Sequence, residues 1–164
     1  MELGFKILGK FNDIHSTAQI GNDSRIANFC YIGKDVRIGK NCVIGNFCEI
    51  NNGTIIGDNT LINSHCHLNS NTIIGNDCIF GASVMTADEK YMTPHTSKIT
   101  KQPCVIGNNC RIGQNSNLVC TKLGDFVSIG AGSTVLVDEI KSGEVWVGTP
   151  AKKLRNLSDY EKSL

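Results

Sequence analysis

Aliphatic residues recur every six positions along most of the chain, at Ile14, Ile20, Ile26, Ile32, Ile38, Ile44, Ile50, Ile56, Ile62, Leu68 and Ile74. Phe80 and Thr86 continue the series. It resumes at Ile106, Ile112 and Leu118 and, after a one-residue slip, at Leu123, Ile129 and Val135. Such a period fits neither an α-helix nor a single amphipathic strand. It predicts a short strand and a tight corner, repeated. A glycine follows the aliphatic residue at many of these places, among them Gly21, Gly33, Gly45, Gly57 and Gly81. Asn or Asp is frequent three places after it, as at Asp23, Asp35, Asn41, Asn59, Asn71 and Asp77. These residue types supply the left-handed backbone angles that corners need. Three units close a triangular coil of about 18 residues, and coils stack about 4.8 Å apart as parallel strands. About six coils make a prism on the order of 30 Å long.

Cysteine placement follows the same period. Cys30, Cys42, Cys48, Cys66, Cys78 and Cys110 all fall four places after the aliphatic residue, a slot that elsewhere holds Ala18, Ser24, Val36 or Thr54. It is a slot for small inward side chains, and free cysteine packs there as a small hydrophobe. Cys104 fits the same slot, and Cys120 stands outside it. The chain contains no C-x-x-C pair of the kind zinc sites use.

Repeats of this form resemble the hexapeptide-repeat acyltransferase family, over about residues 14 to 155. The resemblance implies an all-β fold, a left-handed parallel β-helix, with an extruded loop and a short C-terminal helix. It also implies acetyl-CoA as cosubstrate, no metal, and a homotrimer with active sites between subunits. One domain over 1–164 is expected, with repeats at about 14–86 and 100–140, a loop at about 87–103 and a tail at 145–164.

The loop reads "ADEKYMTPHTSKITKQP", charged and without aliphatic period; Thr100 is read as the point where the register returns. A long loop on a rigid solenoid points to function. The tail "VWVGTPAKKLRN" resembles the end of sugar acetyltransferases. It implies cofactor contacts at Gly130, Ala131 and Gly148, with Lys152, Lys153 and Arg155 meeting the phosphates of coenzyme A. Ser158 or Asp159 is expected to cap the terminal helix.

The stretch "INSHCH", Ile62 to His67, departs from its neighbours by losing the glycine and gaining two histidines. With 18 residues per coil, His65 joins an outward column with Phe29 and Phe47. His67 joins one with Tyr31, Glu49 and Met85, where the Glu49 carboxylate can hold its imidazole. Either histidine can accept the proton an acceptor loses on attacking a thioester. His65 is the first candidate, His67 the reserve, with Asn63 and Glu49 nearby.

The loop start, Met85 to Met92, lacks the histidine that sugar O-acetyltransferases of this fold place there. The pattern is similar to nucleotide-sugar N-acetyltransferases of surface-glycan synthesis. That resemblance implies that Asn63 or His65, together with Asp88, approaches a sugar amine. Alternatives are a sugar O-acetyltransferase, a γ-type carbonic anhydrase with zinc on His65, His67 and His95, and a non-catalytic β-solenoid.

Composition narrows the setting. The chain has 164 residues, 40% hydrophobic, with a net charge of +1. No global basic field is present to recruit nucleic acid. No apolar run approaches the roughly 20 residues of a membrane span, and the opening "MELGFKILGK" does not read as a leader. A cytoplasmic protein is expected.

Overall fold

The computed structural model describes residues 6–7, 9–91 and 101–163. The chain winds as a parallel β-helix, the fold expected from the hexads. Strands of mostly two residues follow one another around three sheets, of nine, seven and seven strands. We call the sheets faces in the order the chain visits them. Outward residues of the first face include Leu61, Ile79, Arg111 and Ser128, those of the second Glu49, His67, Met85 and Asn117. The third includes Ile55, Ile73, Val105 and Lys122. Between the loop and the slip, strand Asn117–Val119 is followed by Lys122–Leu123, which shortens that coil by one residue.

The inward column is Ile or Leu at nearly every level. Ile32, Ile44, Ile50, Ile62 and Leu68 are each at most 1% exposed. Full burial of such a side chain contributes about 1.5–3 kcal/mol. All eight cysteines are free and buried, including Cys120, which had no inward slot by period. At the slip its backbone turns left-handed, with φ +48°, and the side chain is 2% exposed.

Glycine and Asn/Asp divide the corner work differently from the expectation. The residues with positive φ are chiefly those three places after the aliphatic one, such as Asp35, Asn41, Asn59 and Asn71. The glycine that follows the aliphatic residue is needed for close approach instead. A Cβ on Gly45 would lie 2.4 Å from the backbone nitrogen of Ser64 in the next coil. Asn and Asp one place later accept N–H groups across coils, as Asp58 does from Lys40 and Asn76 does from Asp58, both at 2.8 Å.

The chain ends in an antiparallel hairpin, Glu144–Gly148 with Ala151–Asn156, and a helix, Asp159–Lys162. Ser158 caps that helix: its Oγ accepts the Glu161 N–H at 3.2 Å, and the Glu161 carboxylate accepts the Ser158 N–H at 2.9 Å. Among the described residues no helix is long and apolar enough to cross a membrane. Part of the predicted loop, residues 92–100 with Pro94, His95 and Thr100, lies outside the described residues.

Burial pushes the thiols of Cys42 and Cys104 up, which slows attack on electrophiles. Cys66 and Cys78 are drawn down by hydrogen bonds from the Cys48 and Cys110 thiols. Access decides the outcome, since these two are 1% and 0% exposed. We expect native protein to react slowly with a thiol reagent at every cysteine and at once after denaturation. Rapid labelling of more than two thiols would contradict the inward column.

Candidate functional site

The two histidines of INSHCH leave the prism in different directions. His65 stands at the corner between the first and second faces, with φ +63°. Its ring continues an aromatic stack: Phe11 on Phe29 at 5.2 Å, Phe29 on Phe47 at 5.1 Å, and Phe47 on His65 at 5.0 Å between centroids. Phe29 and Phe47 are 49% and 52% exposed. Left-handed backbone at a bulky residue costs about 1–2 kcal/mol. Each ring pair returns about 0.5–1.5 kcal/mol.

Asn63 occupies the level of a glycine and is used by the backbone. Its Nδ2 donates to the Phe80 carbonyl at 2.8 Å. This contact gives the side chain at that place a structural use. It does not bring Asn63 to the loop stem. Asp88 leaves the prism at the opposite corner, between the second and third faces.

His67 lies between those corners, on the second face, and gathers the polar groups. Its Nδ1 is 3.1 Å from Glu49 Oε2, the residue one coil below in register. Its Nε2 is 2.8 Å from Asn69 Oδ1. Asn69 Nδ2 donates to Asp88 Oδ1 at 2.8 Å, and Lys101 Nζ is 3.2 Å from Asp88 Oδ2. Asp88 is 5% exposed, and its carbonyl accepts the Gln102 N–H at 2.8 Å. It therefore joins both stems of the loop, and both its carboxylate oxygens are engaged. Glu49 and His67 remain accessible, with side chains 49% and 32% exposed.

Asn69 and Lys101 were not among the sequence-derived candidates. Asn69 had a signal: like Asn63, it takes the place where neighbouring hexads carry glycine. Lys101 had none, because nothing in the period assigns a loop residue to a column.

The tail divides its basic cluster. Strand alternation sends Lys153 to Glu144 at 2.7 Å, a carboxylate that also accepts Trp146 Nε1 at 2.9 Å. Lys153 and Trp146 hold the Glu144 carboxyl below its usual range. Arg155 binds Glu161 through both terminal nitrogens, at 2.7 and 2.5 Å, and draws that carboxyl down to about 2. Lys152 is exposed. Gly130 donates its N–H to the Trp146 carbonyl at 2.9 Å, and Gly148 donates to Ser133 Oγ at 3.0 Å. Ala131 is exposed beside them.

A groove of about 320 Å³ runs on the first face beneath the terminal helix, walled by Ile79, Arg111, Ser128 and Lys162. A shallower hollow beside it reaches Gly130 and Val145. Neither touches His67, which stands on an open face. Among the described residues no group of three or more His, Cys, Asp or Glu is placed to hold a metal ion. His65 and His67 diverge onto different stacks, while His95 lies outside the described residues.

Family models place this architecture. The bacterial transferase hexapeptide (six repeats) model matches residues 17–52 and 53–87, and the hexapeptide repeat of succinyl-transferase model matches 103–136. The chain belongs to the hexapeptide-repeat transferase family. It is 31% identical over 63 residues to a 2,3,4,5-tetrahydropyridine-2,6-dicarboxylate N-acetyltransferase of Clostridium botulinum (strain Alaska E43 / Type E3). That match covers 38% of this chain and 27% of the relative's length. A UDP-N-acetylglucosamine O-acyltransferase from Moraxella catarrhalis shares the fold with TM-score 0.68 at 20% identity, over 96% of this chain and 74% of that one. A hexapeptide-repeat-containing acetyltransferase of Vibrio cholerae, solved with acetyl coenzyme A, gives TM-score 0.61 at 23% identity, over 78% of this chain and 71% of that one.

The tail makes a separable prediction. Lys153→Ala leaves the Glu144 carboxylate, 9% exposed, without its ion partner. The cost is about 1 kcal/mol, at the low end for a lost charged partner because Lys153 is partly exposed. Lys152→Ala should leave the melting temperature unchanged. Equal melting temperatures for the two variants would remove the structural role given to Lys153.

Proposed function

We propose that this protein is an acetyl-CoA-dependent acyltransferase that acetylates an amino group of a nucleotide-linked amino sugar. The observation that carries this reading is the hydrogen-bonded chain Glu49–His67–Asn69–Asp88–Lys101 at the loop stem. Acyl transfer to an amine moves one proton from the attacking nitrogen to the departing thiolate. A histidine that is accessible and held from both sides can take that proton and return it. Thiolate leaves readily, so alignment of donor and acceptor supplies much of the rate. The half-exposed Glu49 carboxylate beside His67 attracts an ammonium group more than a neutral hydroxyl. Of the three proteins named above, one is an N-acetyltransferase, one is an O-acyltransferase of a UDP-sugar and one was solved with acetyl coenzyme A, so each supports one part of this reading and none combines all three. Free buried cysteines suit a reducing compartment, hence the cytoplasm.

His67 replaces His65 as the base in this reading, and His65 becomes part of an assembly surface. An exposed column of stacked aromatic rings is costly in water. If the corner bearing Phe11, Phe29 and Phe47 points to a three-fold axis, the first face of one protomer lies opposite the second face of the next. His67 then meets the groove walled by Arg111 and Ser128 of a second copy. Coenzyme A belongs in that cleft, along Gly130, Ala131 and Gly148, with Lys152 turned to its phosphates. Asp88 acts on the acceptor indirectly, through Asn69.

Three experiments test this. Thiol release from acetyl-CoA should depend on a nucleotide-linked amino sugar from a panel; no release with any acceptor in the panel would sink the assignment. His67→Ala should lower kcat about 10²–10⁴-fold while His65→Ala does less. The reverse order would return the base to His65. Sedimentation should report a trimer at micromolar concentration, and Phe47→Asp should dissociate it. A monomeric wild type would remove the second copy from the site.

A further inference from the structure

Hydrogen-bond polarity runs one way through the groups behind His67. Lys101 Nζ lies against Asp88 Oδ2 at 3.2 Å, and a carboxylate only accepts. The group that Asn69 offers to Asp88 Oδ1 at 2.8 Å is therefore its NH₂. That orientation turns the amide oxygen to His67, 2.8 Å from Nε2. A carbonyl oxygen also only accepts, so Nε2 carries a proton. Asn51 Nδ2, at 3.4 Å from Nε2, favours the opposite arrangement but is too distant to compete.

Asn69 is well fixed for such a task. Its backbone N–H donates to Thr86 Oγ1 at 2.8 Å. Its carbonyl accepts from Thr72 Oγ1 at 2.7 Å and from Thr54 Oγ1 at 3.1 Å. Thr54, Thr72 and Thr86 are buried, so the backbone that carries the amide belongs to the core. Nδ1 faces the opposite way, toward solvent and the Glu49 carboxylate at 3.1 Å, which also only accepts, so the two acceptors compete for the one proton of a neutral ring. The Glu49 contact is longer and half exposed to water, which weakens it against the fixed Asn69 oxygen at 2.8 Å.

We propose that Asn69 is a positioning residue that keeps the proton of His67 on Nε2 and so makes Nδ1 the atom that accepts the proton of the substrate. The role in catalysis rests on the acetyl-transfer reading above; the placement of the proton does not. The amine nitrogen attacks the thioester carbonyl carbon, and a C–N bond forms as the C–S bond breaks. The amine proton passes to Nδ1. The resulting imidazolium has an acceptor for each N–H, Glu49 on one side and the Asn69 amide oxygen on the other. It then returns the Nδ1 proton to the coenzyme A thiolate. Before the transfer, Glu49 holds an N–H of the acceptor against Nδ1, which makes the pair selective for amines.

Nitrogen NMR of the intact protein with ¹⁵N-labelled histidine tests the placement directly, since each tautomer has its own pair of ring shifts. In wild type the neutral ring of His67, identified by its loss in His67→Gln, should be protonated at Nε2. Asn69→Asp should keep that tautomer, because a carboxylate oxygen still accepts from Nε2. Asn69→Ala should lose it, with the proton moving to Nδ1 against Glu49. In steady state, Asn69→Ala should lower kcat about tenfold or more and leave the KM for acetyl-CoA unchanged. A wild-type ring protonated at Nδ1 alone overturns the proposal whether or not the variants fold. So does an Asn69→Ala protein that keeps both the Nε2 proton and its kcat. If the wild-type tautomer is as stated but no acceptor releases thiol from acetyl-CoA, the acetyl-transfer reading fails and the placement of the proton stands.

Discussion

Everything in this molecule depends on the backbone hydrogen bonds that stack one coil directly on the next. The amide of Tyr31 meets the carbonyl of Cys48, that of Glu49 meets Cys66, and that of His67 meets Val84, at 2.9 to 3.0 Å. Parallel stacking at one strand spacing fixes which residues are neighbours. A side chain on one coil must suit the side chain at the same place above and below it. Glycine follows the aliphatic residue at the levels where the next coil passes too near for a Cβ, as at Gly45. Asn and Asp recur at corners because they tolerate left-handed backbone and accept the N–H groups that corners leave open.

Both surfaces that the proposal uses are columns produced by that rule. The stack from Phe11 to His65 is one, and the pair of Glu49 with His67 is another. They differ in what the column brings together. Rings stacked on a corner make an apolar ridge that suits a second chain. A carboxylate stacked under an imidazole makes a pair that can hold and move a proton. The hydrogen-bonded chain is then continued sideways, where the loop leaves the period and Asp88 returns to the prism through Asn69. The accessible pair sits on an open face, and the groove beneath the terminal helix on a different one. Two faces that cannot meet within one prism meet when prisms pack corner to corner, which is why the proposed site belongs to an assembly.

The terminal hairpin shows charge spent on architecture. Lys153 and Arg155 read as a basic cluster because they are close in sequence. In the strand they are drawn to Glu144 and Glu161, one locking the hairpin and the other the helix. Lys152 alone of the three is left turned to solvent without an ion pair among the described residues.

The period alone determined the fold, the inward column of Ile and Leu, the small slot filled by Cys48 and Cys66, and the stacking of His65 on Phe47 and His67 on Glu49. These were legible because in a solenoid a distance along the chain converts directly into a distance in space. Cys120 escaped that reading, since its burial follows from a one-residue slip and a left-handed turn. So did Lys101, which arrives through a loop with no period. The column with Phe29 and Phe47 put His65 ahead of His67, but only the three-dimensional arrangement shows what each of them touches. Residues two apart across a corner face different ways, one into an aromatic stack and the other onto the face where Asn69 and Asp88 converge. Direction around the prism, unlike height along it, is set by backbone angles and side-chain partners that a period does not encode.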